Sequence, residues 1–462
     1  MKVPVIAIFD VGKTNKKLFL FDEDYKIFFE RSAKFIETVD EDGDDCENLE
    51  SLRLSVFDSL REVFRLKQYD IKAINFSSYG ASFVYLDEAG NTIAPLYNYL
   101  KTYPGALQKQ FYETYGGEEE FSYRTASPVL GSLNSGMQLY RIKFEKPEVF
   151  KRMKYALHLP QYLSFLLSGT ACSDITSIGC HTNLWDFTKN DYHEWVKQEG
   201  ISDKLAPLHG CSEVLPAIFP GSSYVVGVGL HDSSAALIPY LVNFHEPFIL
   251  ISTGTWCISL NPFNHLPLTK EELQHDCLCY MSYERKPVKA SRIFAGYEHE
   301  QAVKRIAEHF QVNTAFYRSV CFDAALIKGL PSKQDLNTSY NNEVILMKQS
   351  GFANRDLNNF ASAEEAYHQL IYDIAIQQFH STQMVLKETK VRRIFVDGGF
   401  SKNPVYMNLL ASFFPEMEVF AASMAQATAV GTALSIHHHW NKKALPNGII
   451  ELKYYSVQQA VS

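Results

Sequence analysis

Asp10 ends an apolar run, Val5-Ile6-Ala7-Ile8-Phe9, and is followed by Val11-Gly12-Lys13-Thr14-Asn15 and then Lys17. A carboxylate at the end of a buried strand can hold Mg²⁺ or its water shell, and a nearby glycine lets the backbone approach a phosphate. Lys13, Thr14, Asn15 and Lys17 add donors for anionic oxygens. In the other half of the chain Phe248-Ile249-Leu250-Ile251 runs into Ser252-Thr253-Gly254-Thr255. This turn has no carboxylate, so Gly254 and Thr255 would grip phosphate through N–H and hydroxyl groups alone. Each turn by itself is also what an ordinary hairpin needs. Two of them, one per half, point to duplicated units holding one polyphosphate, the chemistry of nucleotide-dependent phosphoryl transfer.

Two further turns carry reactive or small residues. Gly227-Val228-Gly229-Leu230-His231-Asp232 precedes Ser233-Ser234-Ala235-Ala236. A carboxylate in such a turn, opening a helix, can accept the proton of a substrate hydroxyl, or it can simply cap the helix. His231 is open to a structural or a chemical role. Asp397-Gly398-Gly399-Phe400-Ser401-Lys402-Asn403 lies between a strand and a helix, where helix N–H groups favour a nucleotide. Gly398 and Gly399 leave room for a purine and Asn403 can hydrogen-bond to it; a plain strand-to-helix turn is the competing reading.

The elements that must position these residues follow from periodicity. Residues 3–22 read as a hairpin around Gly12, residues 49–66 as an amphipathic helix and residues 71–76 as a strand. Residues 83–86 and 92–94 flank a turn and suggest a second hairpin. Helices are expected near 135–146 and 158–168, and from a capping box at Ser362 and Glu365 to about Lys387. A strand at 393–396, a helix from Pro404 and a small-residue helix at 425–436 follow, with Gly431 placed for close packing. The acidic run Asp40–Asp45 reads as a solvated loop, and His437-His438-His439 as a solvated helix end.

At 462 residues the chain is too long for one core. The boundary between two domains, 1–243 and 244–462, is expected near the turn at 240–247. A net charge of −8 argues against a nucleic-acid partner. No apolar run reaches the ~20 residues of a membrane span, and the N-terminus lacks the pattern of a signal peptide. Eight scattered cysteines read as reduced thiols of a cytoplasmic protein. Oligomeric state is open, a homodimer included.

The four turns, in this order, resemble the FGGY carbohydrate kinases, and the resemblance covers nearly the whole chain. It implies an α/β fold of two RNase H-like lobes, of the actin and hexokinase type, with a catalytic cleft between them. The N-terminal lobe would carry the sugar site, the first phosphate loop and the catalytic Asp; the C-terminal lobe would carry ATP. It implies that Asp232 is the base, that Asp10 organises Mg²⁺ and that Gly12, Lys13, Thr14, Asn15, Lys17, Gly254 and Thr255 bind ATP phosphates. Gly398, Gly399 and Asn403 would bind adenosine. His231-Asp232, Ser252–Trp256 and Tyr79–Asp87 are similar to the rhamnulokinase branch. The resemblance puts Tyr79, Ser82 and Tyr99 near the sugar together with Asp232, and adds Asp174 and His181 through Ser173–Trp185, which resembles the family's T-D-x-S segment. Lys13 stands where Thr is common, Ser82 replaces an Asp, and Tyr99-Leu100-Lys101 replaces a polar segment. The implied substrate is a deoxyketose such as L-rhamnulose, with L-fuculose, L-xylulose or D-xylulose next. A nucleotide-dependent regulatory protein and an ATP hydrolase on the same scaffold are the alternatives of a different class.

Overall fold

The computed structural model describes residues 2–456 apart from 14, 35, 222, 331–349 and 425. Contacts divide the chain into two units. The first is Met1–Asn243 with Cys279–Pro287 and Gln426–Ile449; the second is Phe244–Leu278, Val288–Ala425 and Ile450–Ser462. The chain thus changes unit at 243/244 and returns twice to the first. The second return has a clear packing cause. The helix Ala427–Ser435 lies along the helix Asp232–Asn243, and a Cβ on Gly431 would fall 1.8 Å from the Ala235 carbonyl oxygen. Asn75 Nδ2 donates to the Thr432 carbonyl at 3.0 Å, tying the returning helix to the sheet.

In the first unit β1 (Val3–Val11) pairs antiparallel with β2 (Asn15–Asp22), which pairs antiparallel with β3 (Ile27–Lys34). On its other side β1 runs parallel to β4 (Tyr69–Ser78). Two short strands, Val225–Gly227 and Leu230–His231, also run parallel to β4. The continuous apolar run Val5–Phe9 is buried throughout, as a central strand covered on both faces must be. The helix Leu49–Arg65 lays Leu52, Val56, Leu60 and Val63 into the same core, and Asn48 caps it by accepting from the Ser51 N–H at 2.9 Å.

The second unit repeats this order. β5 (Phe248–Thr253), β6 (Cys257–Asn261) and β7 (Pro287–Ile293) are successively antiparallel, while β5 runs parallel to β8 (Arg393–Gly398) and β8 to β9 (Glu418–Ser423). The helix Ala363–Leu386 fills the core beside β6, with Ser362 accepting from the Glu365 N–H at 3.2 Å. Each sheet is seven-stranded, and the fold is mixed α/β of the RNase H-like type.

Three local expectations change. The acidic run is not a free solvated loop, because Lys101 Nζ gathers Asp40, Asp42 and Asp44 at 2.6, 2.7 and 3.0 Å. Phe83–Leu86 pairs with Tyr155–His158, and only an isolated bridge joins Leu86 to Thr92. His437 is buried, with Nδ1 2.6 Å from the Tyr25 hydroxyl, whereas His438 and His439 are exposed. None of the eight cysteines is in a disulfide, and seven of them are buried. Among the described residues no helix is long and apolar enough to cross a membrane.

The 1.8 Å approach sets an expected outcome. Gly431→Ala forces a methyl into a backbone carbonyl, which should destabilise the first unit by at least about 3 kcal/mol in urea unfolding. Unchanged stability would show that the two helices are not packed at that distance.

Candidate active site

Two carboxylates emerge at the ends of the strands that flank β4 in the first unit. Asp10 and Leu230 both pair with Ser77 of β4, so Asp10 and Asp232 emerge close to one level. Burial raises the Asp10 carboxyl to about 6, the Asp232 charge adds to this, and the Ser77 hydroxyl at 3.3 Å and Lys17 oppose it. Burial likewise raises Asp232 to about 6, against hydrogen bonds from the Ser233 N–H at 2.6 Å and its hydroxyl at 3.3 Å. Two carboxyls with such raised values form an arrangement suited to a divalent cation and to proton transfer near neutrality.

His231 flanks the pair. Its Nε2 lies 3.2 Å from Asp232 Oδ1 and 3.3 Å from Cys180 Sγ, and its ring stacks on Tyr280 at 5.8 Å. Burial lowers its pKa to about 4, so the imidazole is neutral at pH 7. Its backbone N–H donates to Thr176 Oγ1 at 3.0 Å, and the Thr176 N–H donates to Asp174 Oδ1 at 2.9 Å. Cys211 Sγ donates to the other Asp174 oxygen at 2.8 Å. Asp174 is 0% exposed and both its oxygens serve the protein. The structure therefore places it behind the site, where it holds the segment that bears His231. His181 is buried with its ring 6.1 Å from Tyr280. Ser82 is buried and donates to the Tyr97 carbonyl at 3.1 Å.

Lys13, Tyr79 and Tyr99 come together around a residue that the sequence does not single out. Glu47 accepts from Lys13 Nζ at 2.7 Å with one oxygen and from the Tyr79 hydroxyl at 2.7 Å with the other. The signal for it is indirect: Lys13 stands in the turn where Thr is common, and nothing in the local sequence points to Glu47 as its partner. Gly12 and Asn15 close the turn, the Gly12 N–H donating to the Asn15 carbonyl at 2.9 Å. Lys17 stands opposite Asp10 in the β1–β2 register. Thr14 lies outside the described residues.

The second unit builds a neutral counterpart. Thr253 and Gly398 are register partners on parallel strands, and the turns after them are knitted together. Thr253 Oγ1 donates to the Asp397 carbonyl at 2.6 Å and accepts from the Phe400 N–H at 3.0 Å. Gly398 has φ +94°, and a Cβ there would meet the Thr253 carbonyl oxygen at 2.0 Å. Its absence of a side chain serves this turn-to-turn contact, whereas Gly399 has open space around its missing Cβ. Gly254 and Thr255 are exposed.

A cavity of about 490 Å³ opens beside these turns, lined by Gly254, His299, Tyr317, Tyr367, Gly399 and Asn403 among others. Asn403 is more committed than its sequence position suggests. Its carbonyl oxygen caps the helix Pro404–Phe413, accepting from the Val405 and Tyr406 N–H groups at 3.0 and 3.2 Å. Its amide donates to the Tyr367 hydroxyl at 2.8 Å, which lies 3.0 Å from His299 Nε2. His299, Tyr317 and Tyr367 were not legible as site residues, because they sit in helical stretches without a motif.

Among the described residues a cluster of metal-ligating side chains also occurs at Asp186, His193 and Glu194. Arg124 already occupies both carboxylates there, at 2.9 and 2.7 Å.

Comparison with known proteins agrees with this layout. The N-terminal domain model of the FGGY family of carbohydrate kinases matches residues 5–237, and the C-terminal domain model of carbohydrate kinase FGGY matches residues 245–444. A rhamnulokinase from Mannheimia succiniciproducens is 22% identical over 279 residues, 56% of this chain and 54% of that protein. The chain spans about half the length of the curated relatives it matches. A carbohydrate kinase from Novosphingobium aromaticivorans superposes with a TM-score of 0.79 at 23% identity, covering 99% of this chain and 95% of that one. A xylulose kinase from Rhodospirillum rubrum superposes with a TM-score of 0.80 at 15% identity, with the same coverages. These two likenesses are in fold.

The raised Asp232 carboxyl has a stability consequence. A group whose folded pKa lies above its unfolded value favours folding at low pH and loses that contribution as pH rises through the folded value, here about 6. Its side chain is 32% exposed, so solvent screens much of the effect. Asp232→Asn should therefore stabilise the protein by about 1 kcal/mol at pH 8 and by nothing at pH 3.5. Thermal unfolding at both pH values checks this; a variant less stable at pH 8 would contradict it.

Proposed function

The chain belongs to the FGGY family of carbohydrate kinases, and from that premise we propose that it transfers the γ-phosphoryl group of ATP to a hydroxyl of a sugar. The observation that carries the proposal is the Asp10–Asp232 pair, two partly buried carboxyls raised to about 6 at the ends of the strands on either side of β4. Asp232 takes the acceptor hydroxyl proton as that oxygen bonds to the γ-phosphorus, and the bond to the bridging oxygen of ADP breaks. Asp10 would hold Mg²⁺ or its waters, and the ion, when bound, neutralises charge on the transferring phosphoryl group. The oxygen-donor set and the raised carboxyl values suit such a hard cation.

Gly12, Thr14, Asn15 and Lys17 would face phosphates in the first unit, and Gly254 and Thr255 in the second. In the second unit the 490 Å³ cavity would take the adenosine, between the open backbone at Gly399 and the rings of Tyr317 and Tyr367. Tyr79, Tyr99 and His181 would border the sugar near Asp232. Ser82 and Asp174 are used by the protein, so their part is to shape and support that region. A deoxyketose such as L-rhamnulose is the leading acceptor, because the first curated relatives are rhamnulokinases.

Asp232→Asn should lower sugar-dependent ADP release by about 10³-fold while ATP binding, measured by titration, is retained. In the wild type the rate should rise with pH through about 6 as the base ionises. A panel of ketoses, aldoses and polyols assayed for ADP release identifies the acceptor. Undiminished turnover in the variant would remove Asp232 as the base, and no turnover on any sugar would favour a regulatory role.

A further inference from the structure

Lys13 occupies a turn in which a donor for phosphate is expected, yet its ammonium is committed to other groups. Its Nζ lies 2.7 Å from Glu47 Oε1 and sits over two aromatic rings, 5.6 Å from the Tyr79 centroid and 5.4 Å from that of Tyr99. The two rings are 5.8 Å apart. Glu47 is only 4% exposed and its second oxygen holds the Tyr79 hydroxyl. A phosphate that drew Lys13 away would take from this buried carboxylate the cation that is hydrogen-bonded to it, leaving the charge of Lys16, and would remove the cation from both ring faces, which is unfavourable. The same wall reaches toward the base, since the charges of Asp232 and Glu47 both act on the Tyr99 hydroxyl, whose pKa burial already raises.

We propose that Lys13, pinned by Glu47 against Tyr79 and Tyr99, is a specificity-determining residue of the acceptor pocket rather than a phosphate ligand. The proposal rests on the kinase reading. The Lys13–Glu47 pair is neutral as a unit; around it Glu47 also acts on Lys16, and Asp10 feels both the Asp232 carboxylate and the Lys17 ammonium. An acceptor bearing a carboxylate or phosphate therefore meets, at Lys13, an ammonium already neutralised by Glu47. A neutral, hydroxyl-rich acceptor instead finds aromatic faces for its C–H surface and a polarised rim for its hydroxyls. Loss of the Glu47 charge would release Lys13 and relax this discrimination.

The test compares wild type, Lys13→Met, Lys13→Arg and Glu47→Gln, with thermal unfolding to confirm folding. Nucleotide affinity is read by calorimetry with a non-hydrolysable ATP analogue, acceptor KM by ADP release, and acceptor binding separately by intrinsic fluorescence. Lys13→Met should raise acceptor KM about tenfold or more and shift nucleotide affinity by no more than about twofold, and Lys13→Arg should recover most of the loss. Glu47→Gln should raise kcat/KM for a sugar acid relative to its neutral counterpart by about tenfold. Should Lys13→Met or Glu47→Gln fail to fold, Lys13→Arg with the remaining variant still reads both arms. A tenfold fall in nucleotide affinity with acceptor KM unmoved would overturn the proposal by making Lys13 a phosphate ligand, and so would no change in either. A wild type that binds sugar without turnover fails the kinase reading alone, and the fluorescence titrations then decide the role of Lys13. A wild type that binds no sugar fails both.

Discussion

The parallel register across three strands of the first unit is the constraint on which the candidate chemistry depends. Ser77 of β4 pairs with Asp10 on one side and Leu230 on the other. A slip of one residue in either pairing would turn the corresponding carboxylate to the other face of the sheet. That register is held by burial on both sides, since Val5–Phe9 and most of β4 have no exposed face. The returning helix Ala427–Ser435 adds to it through Asn75, which lies within β4 itself. Residues distant in sequence thus fix the level at which Asp10 and Asp232 leave the sheet, at the carboxyl ends of parallel strands where open α/β sheets bind ligands.

The second unit uses the same strand order for a different electrostatic purpose. Where the first unit places Asp10, next to last in its strand, the second places Ser252, followed by Thr253, whose hydroxyl both donates and accepts within the protein. No carboxylate is buried at that turn, so it carries no cost of desolvating charge. The duplicated strand–turn unit has therefore diverged in charge while keeping its backbone. One copy holds ionisable groups whose values are lifted toward neutrality. The other leaves Gly254 and Thr255 exposed beside a large cavity, the Gly254 N–H closing the turn on the Trp256 carbonyl at 2.9 Å.

Those features that depend on local patterns were legible in the sequence. The apolar runs ending in glycine turns, the capped helix at Ser362 and the close-packing role of Gly431 follow from composition and spacing, and the structure contains each. What was not legible depends on long-range partners. Glu47 meets Lys13 and Tyr79 across more than thirty residues of chain each way. The acidic run folds around Lys101 from nearly sixty residues further on. Asn403 illustrates a subtler limit: its place after a Gly-Gly turn suggested a ligand contact, while the helix cap and Tyr367 claim both ends of its side chain. A single-residue motif reports the type of group present but not the hydrogen bonds already made.

Asp174 shows why that distinction matters for the base. Its buried carboxylate anchors Thr176, which anchors the backbone of His231, which abuts Asp232. Were His231 cationic, its charge would stabilise the ionised Asp232 and weaken it as a base. Burial instead holds the imidazole near a pKa of 4, so it touches Asp232 Oδ1 as a neutral neighbour. The raised value of Asp232 survives because the group next to it has been kept uncharged, and the chain from Asp174 fixes where that neutral ring lies. A residue whose motif resembles a sugar-binding segment thus fixes, two contacts away, the neutral ring that abuts Asp232.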